Sequence, residues 1–182
     1  VKVLNETILS SSAFSAEIDV PIEKIDIADW LFNLPEAEYR RCCPPDHIAC
    51  GNTLSDDGQR MMINVEMIGT GLVVQHYVAE EATATYCRMN SISDVFTSAG
   101  RTQVNVIWEL KAESIAGGRT RYTNSVIAHP TDAFMEFIAA HDIPYADAAA
   151  ARQEAGGDHN HRETPLFAAS IARHALAGSK AA

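Results

Sequence analysis

Two histidines are placed so that they could serve one substrate. His76 falls in the alternating segment Leu72 to Val78, and His174 sits near the apolar stripe of the last helical stretch. If that helix lies across the strands, the two imidazoles oppose each other over a cavity. Flanking a carbonyl, they would act as general acid and base, because unperturbed imidazoles titrate near neutrality. The plainer role for His174 is a favourable charge near a helix C-terminus. A second group, Asp158-His159-Asn160-His161-Arg162-Glu163, is the one dense run of metal-ligating residue types. On a helix His159 and His161 diverge by about 200°, so they share a face only in an extended segment. Beside Gly156-Gly157 the run reads as a solvated loop. Cys42, Cys43, His47 and Cys50 lack a paired C-x-x-C framework and are interrupted by Pro44-Pro45, so they read as buried or idle thiols. No metal site is therefore assigned. Nucleophile elbow, Walker A loop and dinucleotide fingerprint are all missing, and no cofactor is expected.

Composition narrows the setting. A chain of 182 residues with 47% hydrophobic and 21% charged residues suits one domain with a sizeable core. The net charge of −10 repels nucleic acid and anionic membranes, and no basic patch opposes it. No apolar run approaches a membrane span, and four cysteines in a chain this large need no disulfide staples. These features point to a soluble protein of a reducing, cytoplasmic compartment with no nucleic-acid or membrane partner.

The elements that must position the side chains follow from periodicity. Thr7 to Val20 contains a first strand, with Phe14, Ala16, Ile18 and Val20 on one parity. Pro21 opens a helix carrying Ile22, Ile25, Ala28 and Leu31 or Phe32, and Pro35-Glu36 opens a second short one that ends at Pro44-Pro45. Asp56-Asp57-Gly58 turns a hairpin between Ile48–Leu54 and Met61–Ile68. Leu72–Val78, Thr83–Asn90, Thr102–Ala112 and Arg119–Ala128 supply further strands. Thr131 caps a helix with Phe134, Phe137 and Ile138, and Tyr145–Gln153 is alanine-rich and helical. Gly156-Gly157-Asp158 breaks it, and a final helix opens at Thr164-Pro165 and runs to about Leu176.

This order, carried by Ala16-Glu17-Ile18-Asp19-Val20-Pro21-Ile22-Glu23-Lys24, by the strand Thr102–Ala112 and by Ser125-Val126-Ile127-Ala128-His129-Pro130, resembles the START-like, or SRPBCC, superfamily. That superfamily includes polyketide cyclases and allergen-type ligand binders. The resemblance implies an α+β helix-grip fold, a curved antiparallel sheet wrapped around a long C-terminal helix, with two short helices after strand one. The expected organisation is a single domain, 1–182, with an inserted helical segment at about 132–163 that acts as a lid or a dimer contact. Between sheet and helix the family leaves a cavity for an apolar or aromatic molecule.

If the apolar parity of each strand faces the helix, the ligand-binding wall contains Met67, Val74, Met89, Val106, Trp108, Tyr122 and Asn124, opposed by Phe167, Ser170 and Ile171. His76 lies on the same wall, and Glu66 and Glu109 lie on the opposite face. A bulge near Gly69 or Gly71 would invert the parity and put Gln75 and Tyr77 in place of His76. The expected function is binding of a hydrophobic or aromatic small molecule, with cyclase- or lyase-type chemistry by a few polar groups. The competing expectation is a structural or interaction protein. It would be a homodimer joined through Trp30, Phe32 or the alanine-rich segment, with its cavity filled by side chains.

Overall fold

The computed structural model describes residues 1–178. Strand β1 (Ser10–Ile18) leads through a 3-10 turn to helices α1 (Ile27–Phe32) and α2 (Glu36–Arg41). Six strands follow: β2 (His47–Leu54), β3 (Arg60–Ile68), β4 (Gly71–Ala82), β5 (Tyr86–Thr97), β6 (Gly100–Ile115) and β7 (Arg119–Pro130). Helix α3 (Asp132–Ala140) and the long α4 (Tyr145–Gly178) close the described chain. The strands form one sheet in the order β1-β7-β6-β5-β4-β3-β2, every neighbouring pair antiparallel. With α4 laid against one face, this is the helix-grip arrangement.

Local chemistry sets the element ends. The Asp26 carboxylate accepts from the Asp29 N–H at 2.8 Å and caps α1, and the Thr131 hydroxyl accepts from the Phe134 N–H at 3.1 Å and caps α3. Gly117 and Gly118, both at positive φ (81° and 68°), turn β6 into β7, a conformation that costs a Cβ-bearing residue. The core lies between sheet and helices. Trp30 of α1 is 1% exposed, meets the Phe167 ring edge-on at 5.3 Å, and donates its indole N–H to the Ser170 hydroxyl at 3.0 Å. Trp30 and Phe32 are thus core residues rather than surface for a partner copy.

Two sequence expectations change here. Helix α4 is continuous through Gly156, Gly157 and Pro165, and segment 132–163 consists of α3, a short connection and the first half of α4. Two glycines and a proline disfavour a helix by roughly 5 kcal/mol in isolation. Against that, His159, Asn160, Glu163, Thr164, Phe167, Ala168, Ser170 and Ile171 form one buried stripe at helical spacing. Helical propensity is a weak prior that such packing overrides. The second change is strand parity. In β3 and β4 the inward residues are Met62, Asn64, Glu66, Ile68, Val73, Gln75 and Tyr77, paired Met62–Tyr77, Asn64–Gln75 and Glu66–Val73 across the register. Val65, Met67, Val74, His76 and Val78 occupy the opposite face, half-buried. Gln75 and Tyr77 thus take the inner place of His76, although β3 and β4 pair without a bulge, and β3 is inverted as well. The inner face mixes Asn64, Glu66 and Gln75 with apolar residues, so hydrophobic parity does not mark it. Among the described residues, no helix is long and apolar enough to cross a membrane.

Candidate functional site

A buried group of ionisable side chains lies where α4 crosses β2 and β3. His47 begins β2 directly opposite Glu66 of β3, and a register shift between His47 and Ala49 lets the rest of β2 continue its pairing. From the helix, His159 and Glu163 stand one turn apart on the buried stripe. Their tips converge: His47 Nε2 is 3.5 Å from Glu66 Oε2 and 3.2 Å from Glu163 Oε2, and His159 Nε2 is 3.5 Å from each of the same two oxygens. All four side chains are at most 7% exposed.

Outer partners fix each member. The Tyr39 ring stacks on His47 with centroids 3.9 Å apart, and its backbone carbonyl lies 2.8 Å from His47 Nδ1, which must donate to it. The Tyr39 hydroxyl donates to Glu66 Oε2 at 2.8 Å. His159 Nδ1 lies 3.0 Å from Asp46 Oδ2, and Arg162 holds that same oxygen from the other side. Asn124 donates its amide to Glu163 Oε1 at 3.0 Å, and Trp108 orients Asn124 by donating to its oxygen at 2.7 Å. Cys43 borders the group, 3.8 Å from His159 Nδ1 and 3.3 Å from an Arg162 nitrogen. One ligand atom each from Cys43, His47 and His159 come within 4.8 Å of one another.

Burial alone would push the carboxyls up and the imidazole down. For Glu163 the burial effect is outweighed first by the nearby charge of His159 and then by His47, and the carboxyl drops to about 2. Glu66 falls below its usual range for the same reasons. Conversely, burial lowers His159, but the charges of Glu66 and Glu163 outweigh it and raise the imidazolium far above its ordinary value. Burial first, then the neighbouring Glu66 charge, keeps the Tyr39 phenol protonated. The group thus sets a favoured imidazolium beside favoured carboxylates at a buried site.

Next to it is a small cavity bounded by Ser10, Asn64, Glu66, Gln75, Tyr77, Trp108, Arg152, Gly156 and Glu163, with about 30 Å³ of room for water. Two polar atoms on its wall are buried and have no hydrogen-bond partner among the described residues: Asn64 Oδ1 and Arg152 Nε. Burial lowers the Arg152 guanidinium, and the nearby Glu66 charge opposes that shift. At the margin between β1 and α4 the Gln153 carboxamide bridges Ser11, accepting from its N–H at 2.9 Å and donating to its carbonyl at 3.0 Å.

The expected wall is only partly here. Trp108 lines the cavity and Asn124 supports Glu163, while Met89, Val106, Tyr122, Phe167, Ser170 and Ile171 are buried in the core beside them. Met67, Val74 and His76 lie on the far face, where His76 stands 3.6 Å from Asp94. His174 pairs with exposed Asp29 at 2.7 Å near the end of α4. The structure does not bring the two histidines together, because β4 presents the opposite parity to the helix. Glu66 moves the other way, from an expected surface residue to the centre of the site. Tyr39, His47, Arg152, His159 and Glu163 went unassigned. One signal was available: His159 and Glu163 are four apart, the spacing of one helical face, once the glycine pair is not read as a break.

No protein-family model matches the chain, and no curated protein matches it in sequence. Solved structures do match in fold. The Zhui aromatase/cyclase from Streptomyces sp. R1128 superposes with a TM-score of 0.61 at 11% identity, over 91% of this chain and 93% of that one. A protein from Thermus thermophilus gives 0.54 at 10% identity, over 93% and 99%. The di-domain ARO/CYC BexL of the BE-7585A biosynthetic pathway gives 0.53 at 12% identity, over 94% of this chain and 52% of that one. The chain thus shares its fold with these aromatase/cyclases.

Proposed function

We propose that this START-like chain binds a small aromatic or otherwise hydrophobic molecule bearing an acidic oxygen and a hydroxyl, in the cavity beneath the first half of α4. The observation that carries the reading is the pair of unpartnered buried polar atoms on one cavity wall, Arg152 Nε and Asn64 Oδ1. Native proteins rarely leave such groups unsatisfied, because each costs about 1–3 kcal/mol. A carboxylate or enolate oxygen satisfies the first and a hydroxyl donor the second. Trp108, Tyr77 and Val126 supply apolar surface for the remainder of the molecule.

The chemistry on offer is acid–base. Glu66 and Glu163 reach both the cavity and the buried histidines, so protons held by the group can be delivered to a bound carbonyl or taken from an adjacent carbon. Orientation in a closed site would supply much of the rate of an intramolecular condensation or elimination, which is cyclase- or lyase-type chemistry. Access runs between β1 and α4, where the ligand displaces the Gln153–Ser11 bridge.

One observation favours a second reading, a structural or interaction protein with a filled cavity: 30 Å³ holds a water or two and no organic molecule without movement. Thermal shift with 4-hydroxybenzoate, salicylate and 4-hydroxycinnamate against their neutral amides separates the two. Ligand binding predicts stabilisation by at least one acid, none by its amide, and loss of the shift in Arg152→Met with the fold retained. No acid-specific shift in the native protein would overturn the proposal and leave the filled cavity.

A further inference from the structure

The hydrogen bonds around the buried histidines define what their inner nitrogens can do. His47 Nδ1 faces a backbone carbonyl and His159 Nδ1 faces the Asp46 carboxylate, both acceptors only, so each Nδ1 carries a proton. In the neutral tautomers both Nε2 lone pairs then point inward, onto two carboxylate oxygens. His159 Nε2 is buried and makes no hydrogen bond at all. The four atoms close a ring of His–Glu edges of 3.2, 3.5, 3.5 and 3.5 Å. A point equidistant from four corners with such edges lies about 2.1 Å from each if they are tetrahedral and about 2.4 Å if they are flat, against ~2.0–2.2 Å for zinc bound to imidazole nitrogen and carboxylate oxygen.

We propose that Nε2 of His47 and His159 and Oε2 of Glu66 and Glu163 bind one divalent transition-metal ion, of which Zn2+ is the fitting representative. Two carboxylates balance the dication, so the buried site is neutral when loaded. The surroundings match what metal-bound imidazoles require, namely a carbonyl or carboxylate on the other ring nitrogen and hydrogen bonds onto the ligating carboxylates. Here these are the Tyr39 carbonyl, Asp46, the Tyr39 hydroxyl and Asn124. Cys43 is excluded from the first set because it meets His159 on the Nδ1 side, which Asp46 occupies. The ion joins β2 and β3 to α4. Glu66 and Glu163 also line the cavity, so the ion would place a fixed positive charge behind that wall. The inference does not depend on which molecule fills the cavity.

The test uses tag-free protein stripped with chelator, then given one equivalent of Zn2+ or Co2+ and desalted. The expected result is one retained ion per chain, a rise in unfolding temperature, and for Co2+ the strong visible absorption of a four-coordinate centre. His159→Gln and Glu163→Gln should each weaken retention at least 100-fold, with folding checked by circular dichroism. His161→Gln, an exposed neighbour, and Cys43→Ser should leave it intact. No stoichiometric retention by the native protein, or retention unchanged in His159→Gln and Glu163→Gln, would overturn the site. Loss in Cys43→Ser with retention in Glu163→Gln would overturn the four-atom set in favour of Cys43, His47 and His159.

Discussion

Glu163→Gln isolates the charge at the centre of the site while keeping its shape. In metal-free protein the carboxylate accepts from Asn124 at 3.0 Å, lies 3.2 Å from His47 Nε2 and faces His159 at 3.5 Å. The glutamine oxygen can keep the Asn124 bond, but its amino group then meets His47 Nε2, and the positive charge on His159 loses one of its two counterions. Removing one partner of a buried pair costs about 3–5 kcal/mol, reduced here because an imidazole can shed its proton, so we expect about 2.5 kcal/mol. With an unfolding entropy of roughly 2.1 cal/mol/K per residue, 182 residues convert this to a fall in Tm of about 6–7 °C. Urea unfolding and calorimetry measure both quantities. The control is His174→Gln, which breaks an ion pair whose Asp29 side chain is 57% exposed and should move stability by less than about 0.5 kcal/mol. Equal small effects of the two substitutions would refute the reasoning.

Gly156→Ala should stabilise the protein by about 0.5–1 kcal/mol, since alanine is the better helix former and an added Cβ meets no atom within 4 Å, yet it should reduce the acid-specific thermal shift because Gly156 borders the cavity. A loss of stability would show that the backbone there is not helical. For Glu38, burial raises the carboxyl and the bonds from Arg173 and Arg41 outweigh it, taking it from 4.5 to about 2. A depressed folded pKa gives stability that is present above pH 4.5 and is lost as pH falls toward 2. The stability difference between native protein and Glu38→Gln should therefore shrink across that window, and a pH-independent difference would contradict it.

The sheet, the two early helices and the helix-grip order were legible because they rest on long periodic segments such as Thr102–Ala112, whose apolar parity does face the core. The site was not, for two linked reasons. In β3 and β4 the inner face carries Asn64, Glu66 and Gln75 and the outer face Ile63, Val65 and Val74, so hydrophobic parity points away from the polar pocket. In α4 the glycines that open the cavity wall are the same residues that signal a helix break. Local rules fail where the chain holds its polar chemistry. Placing His47 against His159 also needs the contact between β2 and α4, residues over a hundred positions apart that no local period connects.

A double-mutant cycle between Glu66→Gln on β3 and His159→Gln on α4, read by urea unfolding of metal-free protein, tests the convergence of helix and sheet on one buried group most directly. Side chains 3.5 Å apart in one buried network should show a coupling of about 2 kcal/mol. A coupling below about 0.3 kcal/mol, the additivity of distant sites, would contradict it.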